Sequence, residues 1–153
     1  MKKTSNKGFS MVELIIVIAI MAILAAALAP ALIKYINKSR LSTDIQTGTS
    51  IAGAVSAAMA VESANDASTK YTGSLVPVTP SNITGDSFAE EFWDVMGVDS
   101  VKGKSKKDLQ SSAMPAPGTF YMSFGSKDQI IVWYGGSDSA HIVSPNPGSA
   151  LAE

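Results

Sequence analysis

The stretch from residue 7 to residue 33 reads KGFSMVELIIVIAIMAILAAALAPALI, and it decides how the rest of the chain is organised. From Leu14 to Ile33 there are 20 consecutive residues without a charged or polar side chain. At about 1.5 Å per residue, a helix of that length spans roughly 30 Å, the thickness of the hydrocarbon core of a bilayer. A soluble globular domain does not need such a segment near its N-terminus. The sequence therefore predicts a helix that enters a membrane at some stage.

Composition excludes several classes of chemistry. The 153-residue chain has no cysteine, so disulfide bonds, thiolate metal sites and thiol catalysis are excluded. Its one histidine, His141, cannot form a His-pair metal site. Ser137, Asp138 and His141 are the residue types of a hydrolase triad, but they lie in or beside a predicted turn without a nucleophile elbow. The net charge of −1 gives no indication of nucleic-acid binding. We expect no enzymatic activity, no cofactor and no metal.

Charged residues precede the apolar run. The first residues are basic, with Lys2, Lys3 and Lys7, and the carboxylate of Glu13 lies one residue before the run. A secretory signal peptide has a shorter apolar stretch, of about 7–15 residues. A simple membrane anchor explains the length but not Glu13, because a charge at membrane depth costs about 2.5–3.5 kcal/mol and is usually paired. A Glu13 that reaches the head groups at the membrane surface is the alternative.

Residues 7–13, KGFSMVE, followed by the apolar run, resemble the class III signal of type IV prepilins and pseudopilins. In that family a membrane-embedded aspartyl peptidase cuts after the glycine that ends a short basic leader. The next residue becomes N-methylated, and the fifth residue of the mature chain is a glutamate. The resemblance implies a leader over residues 1–8, cleavage between Gly8 and Phe9, N-methylation of Phe9, and a role for Glu13 in subunit assembly.

The chemistry of these residues suits those roles. Gly8 has no Cβ and leaves the scissile backbone unhindered. Cleavage would create a positive α-amino group on Phe9, with Glu13 one turn further along the helix. In a filament of staggered subunits, one subunit's carboxylate can pair with its neighbour's amine. Because unpaired charges are costly to desolvate, such a pair would favour the correct register.

Pro30 lies 22 residues into the implied mature chain, where many pilins have a proline that distorts the helix. It lacks an N–H group and crowds the carbonyl of Ala26. A proline that is simply tolerated in a membrane helix is the alternative. The glycine that some pilins have upstream is replaced by Ala22, which makes extensive unwinding less expected.

Beyond the transmembrane and polymerisation segment, residues 9–33, the pattern predicts an amphipathic continuation of the helix over residues 34–64. Apolar or small residues recur there at spacings of three and four, namely Leu41, Ile45, Gly48, Ala52, Val55 and Met59. Gly48 and Gly53 each cost roughly 1 kcal/mol relative to alanine, which indicates close packing or flexibility. The polar residues 65–85 predict a surface loop.

Residues 65–153 are expected to form a globular head. The capping-box pattern at Ser87 and Glu90 predicts a short helix over residues 87–96, with Gly97 as its C-cap. Its expected apolar face is Phe88, Phe92, Val95 and Met96, with Trp93 either at the core edge or on the surface. Strands at 119–124, 129–134 and 140–143 form a β-meander within residues 119–143, joined by turns at 125–128 and 135–138. The predicted fold is α+β: a long helix, transmembrane then amphipathic, packed on a small antiparallel sheet.

Charge is segregated in the middle of this head. Acidic residues are concentrated between residues 86 and 99, and four lysines follow within residues 102–107. Two interpretations stay open: the acidic and the basic group are two solvated faces, or they are complementary patches between neighbouring subunits.

The sequence therefore predicts a structural protein that resembles type IV pilins, is cut by prepilin peptidase and polymerises through its N-terminal helix. The expected partners are other copies of the chain in a helical filament, prepilin peptidase, the pilus assembly machinery and membrane lipid before assembly; no nucleic acid is expected. The expected locations are the cell membrane, crossed once, and then a surface filament. One alternative is a pseudopilin of a type II secretion or DNA-uptake system. Another is a membrane-anchored binding domain in which Gly8 and Glu13 are accidental.

Overall fold

The computed structural model describes residues 8–73, 75–101, 118–124, 129–134 and 141–145. The chain divides into Met1–Ile36 and Asn37–Glu153, which we call the N-terminal unit and the C-terminal unit. The elements, in chain order, are α1 (Met11–Met59), α2 (Glu62–Ser68), a 3₁₀ turn (Thr69–Tyr71), β1 (Val76–Pro77), α3 (Ser87–Met96), β2 (Phe120–Phe124), β3 (Ile130–Tyr134) and β4 (Ile142–Ser144). The α+β class predicted from the sequence is confirmed.

The part of α1 in the C-terminal unit is amphipathic, as predicted. Its buried residues recur at spacings of mainly three and four: Leu41, Asp44, Gly48, Ile51, Ala54, Val55 and Ala58. Ile45, Ala52 and Met59 of the predicted stripe are only half-buried, so the centre of the buried face is rotated slightly towards Ile51 and Ala58. This face packs on the sheet and joins its hydrophobic core.

The sheet is antiparallel and its strand order follows the chain, β1-β2-β3-β4. The central pair aligns Phe120 with Tyr134 and Phe124 with Ile130. The predicted meander is present, with one additional strand, β1, at its edge; the predicted turns at 125–128 and 135–138 lie outside the described residues. Both edge strands are short: β1 ends in Pro77, and Pro145 follows β4 directly.

Close packing explains one of the two glycines that interrupt α1. A Cβ added at Gly48 would overlap Cγ1 of Val143 in β4 and lie 2.8 Å from its Cβ, whereas a Cβ at Gly53 would meet nothing within 4 Å. Gly48 therefore lets the helix backbone approach the sheet. Gly53 is on the exposed side and has no comparable packing role.

Two helices replace the predicted single helix to residue 64. The N–H groups of Ala60 and Val61 each donate to a carbonyl three residues earlier at 3.1 Å, which tightens the last turn and closes α1 after Met59. The chain then resumes as α2, which buries Ala64 and Ser68. This break lets α2 pack beside α3, where Ser87 Oγ donates to the carbonyl of Ser63 at 2.8 Å.

Residues 65–85 are not the simple loop that their polar composition predicts. They include most of α2, the 3₁₀ turn and β1. A few buried apolar side chains anchor this interval to the core, namely Tyr71, Val78 and Ile83. The N–H of Val78 also donates to the carbonyl of Phe120 at 2.8 Å, which holds the end of β1 beside β2.

Helix α3 has the predicted range but a different N-cap. Oδ1 of Asp86 accepts a hydrogen bond from the N–H of Ala89 at 2.8 Å, so Asp86 and not Ser87 caps the helix. A carboxylate is well suited to this place because it also interacts favourably with the helix dipole. Gly97 is the C-cap with φ of 63°, as predicted. Val95 is 45% exposed, which corrects its predicted place in the core.

Aromatic side chains connect α3 to the rest of the core. The ring of Phe88 lies 5.1 Å from that of Tyr71 and 6.0 Å from that of Phe124, measured between centroids. All three are almost completely buried. Trp93 is half-buried at the core edge, where its ring meets that of Phe92 at 4.8 Å.

Asp86 also joins the 3₁₀ turn to α3 through its second oxygen. Oδ2 accepts from the hydroxyl of Tyr71 at 2.8 Å and from Nζ of Lys70 at 3.0 Å. Burial acts to raise the pKa of Asp86, but the hydrogen bonds from Tyr71, the Ala89 N–H and Lys70 outweigh it, and the pKa lies below its ordinary value. Burial, followed by the bond to Asp86, raises the pKa of Tyr71. Asp86 is therefore charged in the folded protein at neutral pH.

We expect Gly48→Ala and Gly53→Ala to change stability in opposite directions. The added methyl at residue 48 overlaps Val143, and overpacking of this kind costs about 1–3 kcal/mol. At residue 53 the methyl has free space, and alanine should stabilise the helix by up to about 1 kcal/mol. Thermal unfolding of a soluble fragment of residues 34–153 measures both. A Gly48→Ala variant as stable as the unmodified fragment would contradict the close contact.

Acid should weaken the C-terminal unit through Asp86. A carboxyl group whose pKa is lower in the folded state stabilises the fold above its unfolded pKa, and this stabilisation is lost as the pH falls below about 4. Asp86→Asn keeps a competent N-cap but cannot titrate, so the difference in unfolding free energy between it and the unmodified fragment should shrink on acidification. Asp86→Ala should cost roughly 1–2 kcal/mol at neutral pH, because the cap is lost. Denaturant unfolding at pH 7 and pH 3 checks both variants.

Candidate functional site

The Gly8–Phe9 bond lies in exposed, non-helical backbone immediately before α1. Both residues are exposed, and Phe9 has 80% of its surface in solvent. A Cβ at Gly8 would meet nothing within 4 Å, so none of the described residues crowds this backbone. The first residue of α1 is Met11. A cut between Gly8 and Phe9 would therefore leave the helix and its cap whole.

Ser10 and Glu13 cap α1 reciprocally. The N–H of Ser10 donates to Oε2 of Glu13 at 2.9 Å, and the N–H of Val12 donates to Oγ of Ser10 at 3.3 Å. The first helical bond follows, from the N–H of Leu14 to the carbonyl of Ser10 at 3.2 Å. This is a capping box, in which two N–H groups that the helix leaves unpaired both find acceptors. The carboxylate of Glu13 is thereby held at the N-terminal end of α1, beside the residue that cleavage would expose.

This cap was not predicted from the sequence. Glu13 was expected to act in subunit pairing, and no role was expected for Ser10. The signal was present, because Ser10-x-x-Glu13 has the same spacing as Ser87-x-x-Glu90. The structure uses the pattern at residue 10 and replaces it by Asp86 at the start of α3.

The N-terminal unit offers a long apolar surface to its surroundings. Every large apolar side chain from Phe9 to Ile36 is exposed, and the least exposed of them, Ile36, has 42% of its surface in solvent. Among the described residues, α1 is the helix that is long and apolar enough to cross a membrane, and its most apolar window has no buried residue. Monomeric soluble proteins rarely expose apolar patches of this extent.

Pro30 lies within this surface, and α1 remains helical on both sides of it. Since proline has no N–H, the carbonyl of Ala26 lacks its usual donor four residues later. The structure thus brings Gly8, Phe9 and Glu13 together around the start of α1 and places Pro30 about five turns away along the helix.

The described residues contain no group of three His, Asp or Glu side chains that could hold a metal ion. Of the residues with the types of a hydrolase triad, His141 is half-buried at the start of the last described segment, and Ser137 and Asp138 lie outside the described residues. At the N-terminus, the geometry offers an accessible peptide bond, a positioned carboxylate and an exposed apolar helix.

Comparison with known proteins agrees with this location. Residues 3–29 match the family model of the prokaryotic N-terminal methylation motif, which is the class III signal peptide of type IV pilin-like proteins. The matched segment includes Gly8, Phe9 and Glu13 and stops one residue before Pro30. No curated protein and no solved structure matches the chain.

Proposed function

Because residues 3–29 carry the signal of a type IV pilin-like or pseudopilin precursor, we propose that this chain is a structural pilin subunit. In this proposal prepilin peptidase cuts between Gly8 and Phe9, and Phe9 is then N-methylated. The mature chain stays in the membrane through α1 until it joins a helical filament at the cell surface. The assembly machinery in the membrane and other copies of the chain are its partners.

The observation that carries the proposal is the uncovered apolar surface of the N-terminal unit, directly behind an accessible Gly8–Phe9 bond. Such a surface has to be covered, and both lipid and the same segment of neighbouring copies can cover it. The C-terminal unit, in contrast, has a core of its own and uses α1 only from Leu41 onward. This division supports a subunit that polymerises through one part of its helix and displays the other part with the sheet.

Pseudopilins of secretion or DNA-uptake systems share the same signal, and a pseudopilin is the alternative to a pilus subunit. Electron microscopy of cells that produce the protein separates the two, because a pilin forms long surface filaments. A membrane-anchored binding domain would form none.

Glu13 has two roles in this proposal, namely capping of its own helix and pairing with a neighbouring copy, and the two can be tested separately. One carboxylate oxygen, Oε2, binds the N–H of Ser10 within the same helix. We propose that the carboxylate also pairs with the Phe9 amine of a neighbouring copy in the filament. The cap supports this role because it fixes the carboxylate near the helix start before the neighbour arrives, so little side-chain entropy is lost on pairing.

We expect Gly8→Val to leave the leader attached. A β-branched side chain at the scissile residue restricts the backbone that the peptidase must bind, while the unmodified chain should be cut to begin at Phe9. Mass spectrometry of the N-terminus, on membranes from cells that contain the peptidase, measures this. Efficient removal of residues 1–8 from Gly8→Val, or a cut elsewhere in the unmodified chain, would contradict the assignment.

Three variants should separate the cap from the charge pair. Glu13→Gln keeps an acceptor for the Ser10 N–H but has no charge, and Ser10→Ala removes the hydroxyl acceptor but keeps the charge. If the pair guides assembly, Glu13→Gln should reduce the yield of sheared filaments roughly tenfold or more, since such pairs contribute about 1.5 kcal/mol or more. Glu13→Val should do the same, and Ser10→Ala should have little effect.

All three variants should still insert into the membrane. The two Glu13 variants remove a charge from the apolar end, which makes insertion easier, and Ser10→Ala leaves the charge there unchanged. Membrane and filament fractions are compared in cells without an unmodified copy. A normal filament yield from Glu13→Gln would refute the pairing role and leave Glu13 with capping alone.

A further inference from the structure

A groove on the C-terminal unit has an apolar floor and an acidic rim. It has a volume of about 360 Å³ and lies between the loop that precedes α3 and the exposed side of α3. Its apolar lining comes from Pro80, Ile83, Ala89 and Trp93, and its carboxylates are Glu90 and Asp99. We call this site the α3 groove.

Specific contacts join the walls of the groove. The indole Nε1 of Trp93 donates to the carbonyl of Ile83 at 2.9 Å, which joins the helix wall to the loop wall and fixes the indole. Gly97 then ends α3 in a left-handed conformation, and the chain turns so that Asp99 reaches the rim. The site is therefore a property of the folded unit and not of a few adjacent carboxylates.

The rim carboxylates are exposed, and none of the described residues pairs with them. Glu90 and Asp99 are both exposed, and within the described part of the chain neither forms an ion pair. The salt bridge that is present there joins Lys70 to Asp86. An apolar floor with carboxylates above it suits a lysine side chain, because the methylene stem packs on apolar surface while the ammonium group stays with polar groups at the edge. The exposed part of the Trp93 ring adds a favourable face for a cation.

We propose that the α3 groove binds the basic segment, residues 102–107, of a second copy of the chain. The segment reads KGKSKK, with four lysines in six residues. From residue 65 onward, the other lysines are Lys70, which is committed to Asp86, and Lys127. The basic segment is therefore the densest group of cationic side chains from residue 65 onward that another copy can offer to this groove, whereas the exposed Lys34, Lys38 and Arg40 lie on α1.

The type of contact suits a filament. Groove and segment are different surfaces, so one copy would use its groove and the next copy its segment. A heterologous contact of this kind repeats from subunit to subunit, and it forms open helical assemblies when the rotation does not close a ring. The inference rests on the proposed function in that polymerisation through α1 brings the C-terminal units close together.

Two co-produced variants test whether the contact joins different copies. The first copy has an intact groove, and all four lysines of its basic segment are changed to arginine. The second copy has intact lysines and carries Glu90→Gln and Asp99→Asn. Carbodiimide joins a carboxylate to an amine and does not couple arginine, so a bond from the groove to the segment can form only between the two copies. Isolated membranes and sheared filaments are treated, and the cross-linked peptides are identified by mass spectrometry.

We expect a peptide that joins Glu90 or Asp99 of the first copy to a lysine of the second. Asp94 of the first copy provides a matched control, because it is exposed on the same helix but does not line the groove, and the peptide that contains it differs in mass from that of the second copy. Its cross-links to the segment should be fewer. Equal cross-linking at Asp94 would overturn the groove as a specific site.

The other outcomes are also decisive. A cross-link in the unmodified chain that is absent from the co-produced pair would show that the segment binds its own groove, and would overturn the contact between copies. Filaments without any such cross-link would overturn the docking and leave the proposed function intact. A cross-link in membranes of cells that never form filaments would support the docking and refute polymerisation into a pilus.

Discussion

Seventeen large apolar side chains between Phe9 and Ile36 must be removed from water by something other than the described core of their own chain. The hydrophobic effect supplies the driving force, at roughly 25 cal/mol for each Å² that is covered. It is not directional, however, and lipid covers such a surface as well as a neighbouring helix does. In the proposed filament, transfer from the bilayer would therefore not be driven by apolar burial, and packing and polar contacts would have to select the assembled register.

Two polar features of the chain, Glu13 and the α3 groove, lie where they would select the register of neighbouring subunits in the proposed filament. Glu13 is held at the start of α1 by the capping box, at the end where subunits would meet a new α-amino group. The α3 groove, on the surface of the C-terminal unit, would add a second, independent contact if it binds the basic segment as proposed. In this view the apolar surface keeps the subunit in the membrane or the fibre, and the charged groups determine which neighbour it accepts.

The sequence was most informative where one pattern extended over many residues. The apolar run and the spacing from Leu41 to Met59 predicted both parts of α1, because burial or membrane insertion requires a long periodic pattern. The elements between residues 60 and 85 were missed because a few buried residues, such as Tyr71 and Val78, hold a polar interval through contacts distant in sequence. The same capping pattern misled at Ser87, where the preceding Asp86 is the better acceptor and also binds Tyr71. A local sequence pattern does not show which of two adjacent residues, Asp86 or Ser87, will act as the N-cap.

The short edge strands have a consequence for the proposed filament, in which copies of this sheet would be crowded together. An exposed strand edge is a template on which another chain can add a strand, and crowded copies of one sequence are exposed to this route to cross-β aggregation. Here β1 presents only two residues, one of them Pro77 without an N–H, and Pro145 limits β4 at the opposite edge. Within the described residues, neither edge offers a continuous row of donors. In the proposed filament, copies packed side by side would therefore have little described edge on which their sheets could merge, and association would be left to the helix and the surface groups.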